Sequence, residues 1–177
     1  MANQKVSDLT ALAEPPASDD VLYVVDTSAT ASKKVQNKYL IQTDKISLNN
    51  TQITALGSGG TAGEFQVLVA APGSGYMVVP ITVTFISTGS GSTESSNVNL
   101  YIGYDVDQTS NYWAFWSRFN GTLASGNVKS LTSVGTPQTR TSNSATIDNL
   151  ALSVWSSGTF NGGWSMDVYI TYQIVKL

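Results

Sequence analysis

The chain has 177 residues, 41% of them hydrophobic and only 12% charged, with a net charge of −3 and a pI near 4.7. The hydrophobic share excludes a disordered chain, and the absence of cysteine excludes disulfide bonds and thiol chemistry. The acidic balance and the lack of a basic cluster argue against nucleic acid as a partner, while so few charges are typical of β-rich extracellular or virion proteins.

Residues 1–45 are the first predicted unit, because eleven of the 21 charged residues (nine basic and twelve acidic) fall within them. The stretch SDLTALAE predicts a short helical turn, VLYVVDT predicts a strand, and KKVQNKYLIQ predicts a second strand or a short helix. A unit of this size buries too little apolar surface to be stable alone. We therefore expect it to anchor the chain on another protein through five apolar side chains: Leu9, Leu12, Val21, Tyr23 and Val25.

A predicted linker at residues 46–63 separates this unit from a predicted β domain at residues 64–177. The linker is uncharged and ends in the Gly/Ser-rich stretch GSGGTAG. Strand patterns then follow at short intervals in EFQVLVAAP, YMVVPITVTFIS, NVNLYIGYDV, NYWAFWSRF, VKSLTSV, IDNLALSVW and SMDVYITYQIVKL. About seven or eight strands at this spacing predict a mostly β fold, an antiparallel β-sandwich of the jelly-roll kind.

The second of these strands, YMVVPITVTFIS, contains a proline. Alternation predicts that one face of the strand carries Met77, Val79, Ile81, Val83 and Phe85. Pro80 has no N–H group to donate to a neighbouring strand, so it indicates a sheet edge or a bulge at that point.

The closing strand has the most regular alternation in the chain, with apolar residues at every second position from Trp164 to Ile174. Such a strand needs neighbours on both sides, because unpaired backbone groups invite aggregation. In NYWAFWSRF, large aromatic rings occupy both faces of the predicted strand. A strand without a solvated face needs a second covering surface, which another copy of the chain would supply.

The N-terminal stretch KVSDLTALAEPPASDDVLYVVDTSATASKKVQNKYL is similar to a short module near the N-termini of tail fibres and head fibres of tailed bacteriophages. The resemblance rests on Ser7 and Leu9, on a strand from Asp20 to Asp26, and on a Lys-rich segment from Lys33 to Leu40. It implies a virion component whose N-terminal module docks on other virion proteins.

Two distant stretches, LVAAPGSGYMVVPITVTF and SMDVYITYQIV, resemble a compact β domain of phage and marine-virus structural proteins. The matching turn contains Ala71, Pro72, Gly73 and Gly75, and the matching strand runs from Asp167 to Val175. This resemblance implies a β domain that faces outward from the particle, commonly as a homotrimer.

The sequence offers no pattern for catalysis. It has neither His nor Cys, so the commonest general base and the soft metal ligands are absent. A carboxylate pair could still hydrolyse a glycoside, but we expect the acidic side chains of the β domain to be solvated: Glu64, Glu94, Asp105, Asp107, Asp148 and Asp167. Asp105 and Asp107 are also candidate ligands of a hard cation, although YDVDQTSN lacks the Gly and the distal Glu of a calcium loop. We expect no enzyme activity, no cofactor and no bound metal.

Two aromatic-rich segments, QTSNYWAFW and WSSGTFNGGW, are candidates for contact with a receptor or glycan. Flat rings beside amide and hydroxyl groups suit sugar stacking. The alternative is that these rings belong to the core or to a subunit interface. The candidate residues are Tyr112, Trp113, Trp155, Phe160 and Trp164.

The sequence therefore predicts a non-enzymatic structural protein on the virion surface, made in the host cytoplasm. We expect a short fibre that is anchored by its N-terminus and displays a homotrimeric β-sandwich for attachment to a host glycan or protein. Two alternatives are a capsid decoration or head-fibre protein and a carbohydrate-binding, lectin-like module. The start of the chain, MANQKVSDLT, lacks the apolar core of a signal peptide, and no apolar run approaches the roughly 20 residues of a membrane span, so we expect no membrane insertion.

Overall fold

The computed structural model of the protein describes six segments of the chain, residues 21–25, 32–36, 40–57, 64–104, 112–134 and 148–177. The chain divides into two compact units, Met1–Leu40 and Ile41–Leu177. In the smaller unit, β1 (Val21–Val25) pairs antiparallel with β2 (Ser32–Gln36). The strand predicted in VLYVVDT is therefore confirmed, and KKVQNKYLIQ contributes a strand rather than a helix.

The larger unit is built almost entirely of strands. Its described elements are β3 (Gln42–Leu48), α1 (Asn50–Ala55), β4 (Gln66–Val69), β5 (Tyr76–Gly89), β6 (Leu100–Gly103), β7 (Tyr112–Trp116), β8 (Val128–Ser133), β9 (Leu152–Ser156) and β10 (Trp164–Lys176). They form two four-stranded sheets, the first with the order β3-β10-β5-β8 and the second with the order β4-β9-β6-β7. All pairings are antiparallel, and the apolar side chains of both sheets meet in one core. The predicted mostly β fold with an antiparallel sandwich is confirmed.

The strand order is that of a jelly roll. The chain forms four antiparallel pairs: β3 with β10, β4 with β9, β5 with β8 and β6 with β7. Successive pairs lie alternately in the first and the second sheet. In this winding the last strand pairs with the first strand of the sandwich and also with the third. The closing strand β10 therefore lies inside a sheet and has a neighbour on each side.

The core follows the alternation of β10. Its buried positions are Trp164, Met166, Val168, Ile170 and Tyr172, each at most 5% exposed. Burial of one large apolar side chain contributes roughly 1.5–3 kcal/mol, so this row is a major source of the stability of the sandwich.

Strand β5 changes its buried face at a bulge. Tyr172 pairs with Pro80 while Thr171 pairs with Thr82, which leaves Ile81 as the extra residue. The buried positions are Val78 and Pro80 before the bulge, and Val83, Phe85, Ser87 and Gly89 after it. The bulge predicted from the proline is confirmed, whereas the predicted single face was wrong for Met77, Val79 and Ile81, which are half-buried.

Part of the stretch predicted as a linker, residues 46–63, has regular secondary structure. Residues 42–57 carry β3 and α1, and the compact unit of the sandwich begins at Ile41. Asn49 caps α1 by accepting a hydrogen bond from the Gln52 N–H, and the Gln52 side chain accepts one from the Asn49 N–H. Ile53 and Leu56 are fully buried in the core. The uncharged composition resembled that of a linker, but these apolar positions and the capping residues are those of folded elements.

Candidate functional site

The aromatic residues predicted to contact a receptor do not form one exposed surface. Trp155, Phe160 and Trp164 are buried, with at most 1% of each residue exposed. Trp164 belongs to the buried row of β10, and the Phe160 ring packs edge-on against it with centroids 5.3 Å apart. Their burial leaves little ring surface for a receptor and favours the alternative that these residues pack within the protein or at a subunit interface. Tyr112 and Trp113 lie in β7 and are half-buried.

A second group of rings covers the outer side of the β4-β9-β6-β7 sheet. Alternation places Leu100 and Ile102 in the core and therefore directs Tyr101 outward. The Tyr101 ring stacks on Trp155, with centroids 5.7 Å apart, and on Phe115, with centroids 6.1 Å apart. We call this group, Tyr101, Tyr112, Phe115 and Trp155, the aromatic face.

Within the aromatic face, Trp155 has an unusual environment. It is completely buried, yet its indole Nε1 has no hydrogen-bond partner. A buried donor without an acceptor costs about 1–3 kcal/mol relative to a paired one. The face extends to β7, which is the last strand of its sheet in the described part of the chain.

Glu94 is the most elaborate polar site in the described residues, although we had expected it to be solvated. The residue is completely buried. Its carboxylate accepts hydrogen bonds from four nitrogen atoms: Ser96 N at 2.8 Å, Asn161 N at 3.3 Å, Gly162 N at 3.2 Å and Trp164 Nε1 at 2.8 Å. Glu94 is the one charged residue between Glu64 and Asp105, and a lone acid in a Ser-rich loop was the available sequence signal.

The electrostatics at Glu94 favour the ionised form. Burial alone raises the pKa of the carboxyl, but hydrogen bonds from Ser96, Trp164 and Asn161 outweigh burial and hold the pKa below its ordinary value. The backbone of Glu94 also pairs with the loop after β7, since Glu94 N donates to Leu123 O and Thr122 N donates to Glu94 O. Glu94 therefore connects three loops at one end of the sandwich, and its role is structural.

The outer side of the β3-β10-β5-β8 sheet carries a different chemistry. Asp167 on β10 lies between two residues of β3: Lys45 Nζ is 2.8 Å from Asp167 Oδ2, and Ser47 Oγ donates to Asp167 Oδ1 at 2.6 Å. Lys45 Nζ also lies 5.6 Å from the centroid of the Tyr169 ring. We call Lys45, Ser47, Asp167 and Tyr169 the polar face. These four residues were not predicted to lie together, because Lys45 and Ser47 were assigned outside the β domain.

Both charges of the polar face are stabilised by their partners. The hydrogen bonds from Lys45 and then Ser47 lower the pKa of Asp167, and the hydrogen bond to Asp167 raises the pKa of Lys45. Beside this pair lies an open groove of about 330 Å³, lined by Ser47, Asn49, Ile86, Thr88, Ser165 and Asp167 among others. The groove offers one carboxylate, several hydroxyl groups and one aliphatic side chain.

Other predicted site residues lie elsewhere. Leu9, Leu12, Asp105 and Asp107 are outside the described residues, and Val21, Tyr23 and Val25 occupy alternate positions of β1. Asp148 Oδ1 accepts a hydrogen bond from Gly75 N at 2.7 Å, which fixes the PGSG turn. Within the described segments, no group of three or more acidic residues could hold a metal ion, and no helix is long and apolar enough to cross a membrane.

Solved structures that resemble the chain include two from viral particles. The capsid asymmetric unit of cyanophage Pam1 has 13% identity and a TM-score of 0.41, with 97% of this chain and 98% of that chain covered. The VP2 subviral particle of infectious bursal disease virus has 10% identity and a TM-score of 0.30, with 86% of this chain and 38% of that chain covered. Because these identities and TM-scores are low, we base no conclusion on the two structures. The strand order itself establishes the fold. No protein-family model matches the sequence, and no curated protein matches it.

Proposed function

We propose that the protein is a non-enzymatic virion structural protein, a short surface fibre of a tailed bacteriophage that displays its jelly-roll sandwich for host attachment. The observation that carries the proposal is the two-unit organisation: a small N-terminal unit with the sequence features of a phage docking module precedes a sandwich with a core of its own. The N-terminal unit would dock on other virion proteins through Leu9, Leu12, Val21, Tyr23 and Val25.

The jelly-roll sandwich is compatible with a virion role and also with other functions. Jelly rolls occur in viral capsid proteins and also in lectins, so the fold alone does not assign a function. A free-standing lectin has no use for a separate docking unit. The N-terminal unit therefore favours the virion role over the lectin-like alternative.

The aromatic face supports self-association of the sandwich. Tyr101, Tyr112 and Phe115 are half-buried rings on the outside of a sheet, and β7 beside them is an edge strand among the described elements. A second copy seated there would shield the rings and the strand edge. We propose a homotrimer assembled through this face.

The first test is the mass in solution, measured by light scattering on the full chain and on residues 41–177. We expect a trimer in both cases, because the proposed contact lies in the sandwich. Phe115→Asp should give monomers, since it places a charge in the contact. The matched control is Thr132→Asp on β8, an exposed residue of the other sheet. Monomers from both unmodified chains would contradict assembly through the aromatic face.

The second test is incorporation into particles. Tagged full chain and tagged residues 41–177 would be supplied in cells infected by the virus that encodes the protein, and the particles would be purified by density gradient. We expect the tag on particles only with the full chain. Equal recovery of both would refute docking through the N-terminal unit, and recovery of neither would refute the virion role.

A further inference from the structure

The polar face and the groove beside it have the composition of a binding site. Asp167 lies directly opposite Ser47 on one neighbouring strand and Ile86 on the other. The next pair along β10 and β5 brings the hydroxyl side chains of Ser165 and Thr88 to the same groove. A carboxylate, three hydroxyl groups and an aliphatic surface therefore converge on about 330 Å³ of open space.

The carboxylate of Asp167 has capacity left for a ligand. A carboxylate has about four acceptor positions, and Asp167 uses two of them, one for Lys45 and one for Ser47. The Lys45 ammonium in turn has three donors. The pair therefore presents both an acceptor and donors, held in a fixed orientation by the β3 and β10 ladder.

The same face also provides apolar contact area. Tyr169 follows Asp167 on the same side of β10, and Ile86 lies across the ladder from Asp167. Both are half-buried, so part of each remains accessible. A ligand with one apolar side and several hydroxyl groups matches this arrangement.

The charges of the polar face indicate which ligands are suitable. An ionised carboxylate disfavours an anionic ligand, and Lys45 Nζ, only 2.8 Å from that carboxylate, disfavours a cation. An uncharged polyol satisfies both conditions. It can donate hydroxyl hydrogens to Asp167 and accept from Lys45 without introducing a net charge.

We propose that this groove binds a neutral hexopyranose unit of a glycan, with its hydroxyl groups on Asp167, Lys45 and Ser47 and its C–H side against Tyr169 and Ile86. This inference deepens the proposed function, because it names the ligand class for the attachment role and rests on that role for its biological meaning. It also moves the contact away from the buried Trp155, Phe160 and Trp164 to the outer side of the other sheet.

The test is a titration of the full ¹⁵N-labelled chain, followed by NMR, with the methyl glycosides of glucose, galactose, mannose and N-acetylglucosamine. Sialyllactose serves as the anionic contrast. We expect at least one neutral glycoside to shift the amide signals of residues 45–49, 86–88 and 165–169 with a dissociation constant of roughly 1 mM or below. Lactose, the neutral core of sialyllactose, is titrated in parallel. Sialyllactose should shift these amide signals less than lactose does.

Substitutions locate the site. Asp167→Asn and Tyr169→Ala should each weaken binding by about ten-fold, since each removes one principal contact. Ser47→Ala should weaken it by about three-fold, and it serves as the test variant if either of the others fails to fold. Asp148→Asn, which changes a carboxylate outside the groove, is the matched control and should bind within two-fold of the unmodified chain.

The outcomes are distinguishable from those of the virion tests. If no neutral glycoside shifts these signals, or if Asp167→Asn and Asp148→Asn bind alike, the glycan site is refuted while docking and assembly are untouched. Sugar binding by a chain that does not enter particles would support the groove and refute the virion role.

Discussion

The indole Nε1 of Trp164 donates a 2.8 Å hydrogen bond to Oε2 of Glu94, and both residues are completely buried. Trp164 begins the buried row of β10, whereas Glu94 lies in the loop between β5 and β6. The bond therefore connects a Ser- and Gly-rich loop to β10, an inner strand of the first sheet. A buried charge is tolerated in this position because four donors replace its water shell.

Substitution of Glu94 should be strongly destabilising. Glu94→Gln keeps the size of the side chain but removes the charge and directs an NH₂ group at N–H donors, so the free energy of unfolding should fall by about 3 kcal/mol. Urea denaturation measures the change. Glu64→Gln, at a half-buried glutamate, is the control and should alter the value by less than about 0.5 kcal/mol. Equal effects of the two substitutions would show that the donors around Glu94 do not depend on its charge.

Stability should also depend on acid pH through Glu94. Its pKa in the folded protein lies below the ordinary value of 4.5, so the unfolded chain binds the proton more tightly. The stabilisation by Glu94 is therefore complete above pH 4.5 and is lost as the pH falls through the folded-state pKa. We expect the urea midpoint of the unmodified chain to decrease as the pH falls below 4.5, and the midpoint of Glu94→Gln to decrease less over the same range. Parallel pH profiles for both would assign the acid sensitivity to other carboxyls, with Asp167 first, because Lys45 and Ser47 lower its pKa as well.

The two buried tryptophans provide a matched comparison. Trp164 Nε1 is paired with Glu94, whereas Trp155 Nε1 has no partner. Trp164→Phe and Trp155→Phe leave similar voids, but only the first removes a hydrogen bond to a buried charge. Trp164→Phe should therefore cost about 2 kcal/mol more in the free energy of unfolding. A cost for Trp155→Phe that equals or exceeds that of Trp164→Phe would show that the hydrogen bond between Trp164 and Glu94 adds no net stability.

The fold was largely predictable because it depends on local alternation. The closing strand alternates without interruption, and its central place and buried row follow from that pattern. The pattern failed at the bulge in β5. The extra residue Ile81 shifts the alternation by one position, so the buried positions are Val78 and Pro80 before it and Val83 after it. A bulge exchanges the buried and the exposed positions of the residues that follow it, and the alternation in the sequence does not show where this exchange occurs.

The sites were less predictable, because they depend on pairings between distant residues. Lys45 and Asp167 are separated by most of the chain and meet only through the β3 and β10 ladder. Likewise, three of the four donors to Glu94 belong to residues more than 60 positions away in the sequence: Asn161, Gly162 and Trp164. Trp155 and Phe160 were ambiguous for a different reason, since aromatic residues among Ser and Gly suit both a binding loop and a core.

The close approach of two loops near Glu94 should make one glycine indispensable. Gly163 has φ 80°, and a Cβ at this position would meet the backbone of Ser92, with Ser92 N at only 2.8 Å. Gly126 has nearly the same φ, 79°, but an added Cβ there would have no atom within 4 Å. Gly126→Ala should therefore cost only the left-handed backbone penalty, about 1 kcal/mol, while Gly163→Ala should cost about 3 kcal/mol or more because the loops must separate. Urea denaturation of the two variants gives the comparison. If they lose the same stability, the loop that carries Ser92 can move away from Gly163 without disturbing the carboxylate of Glu94.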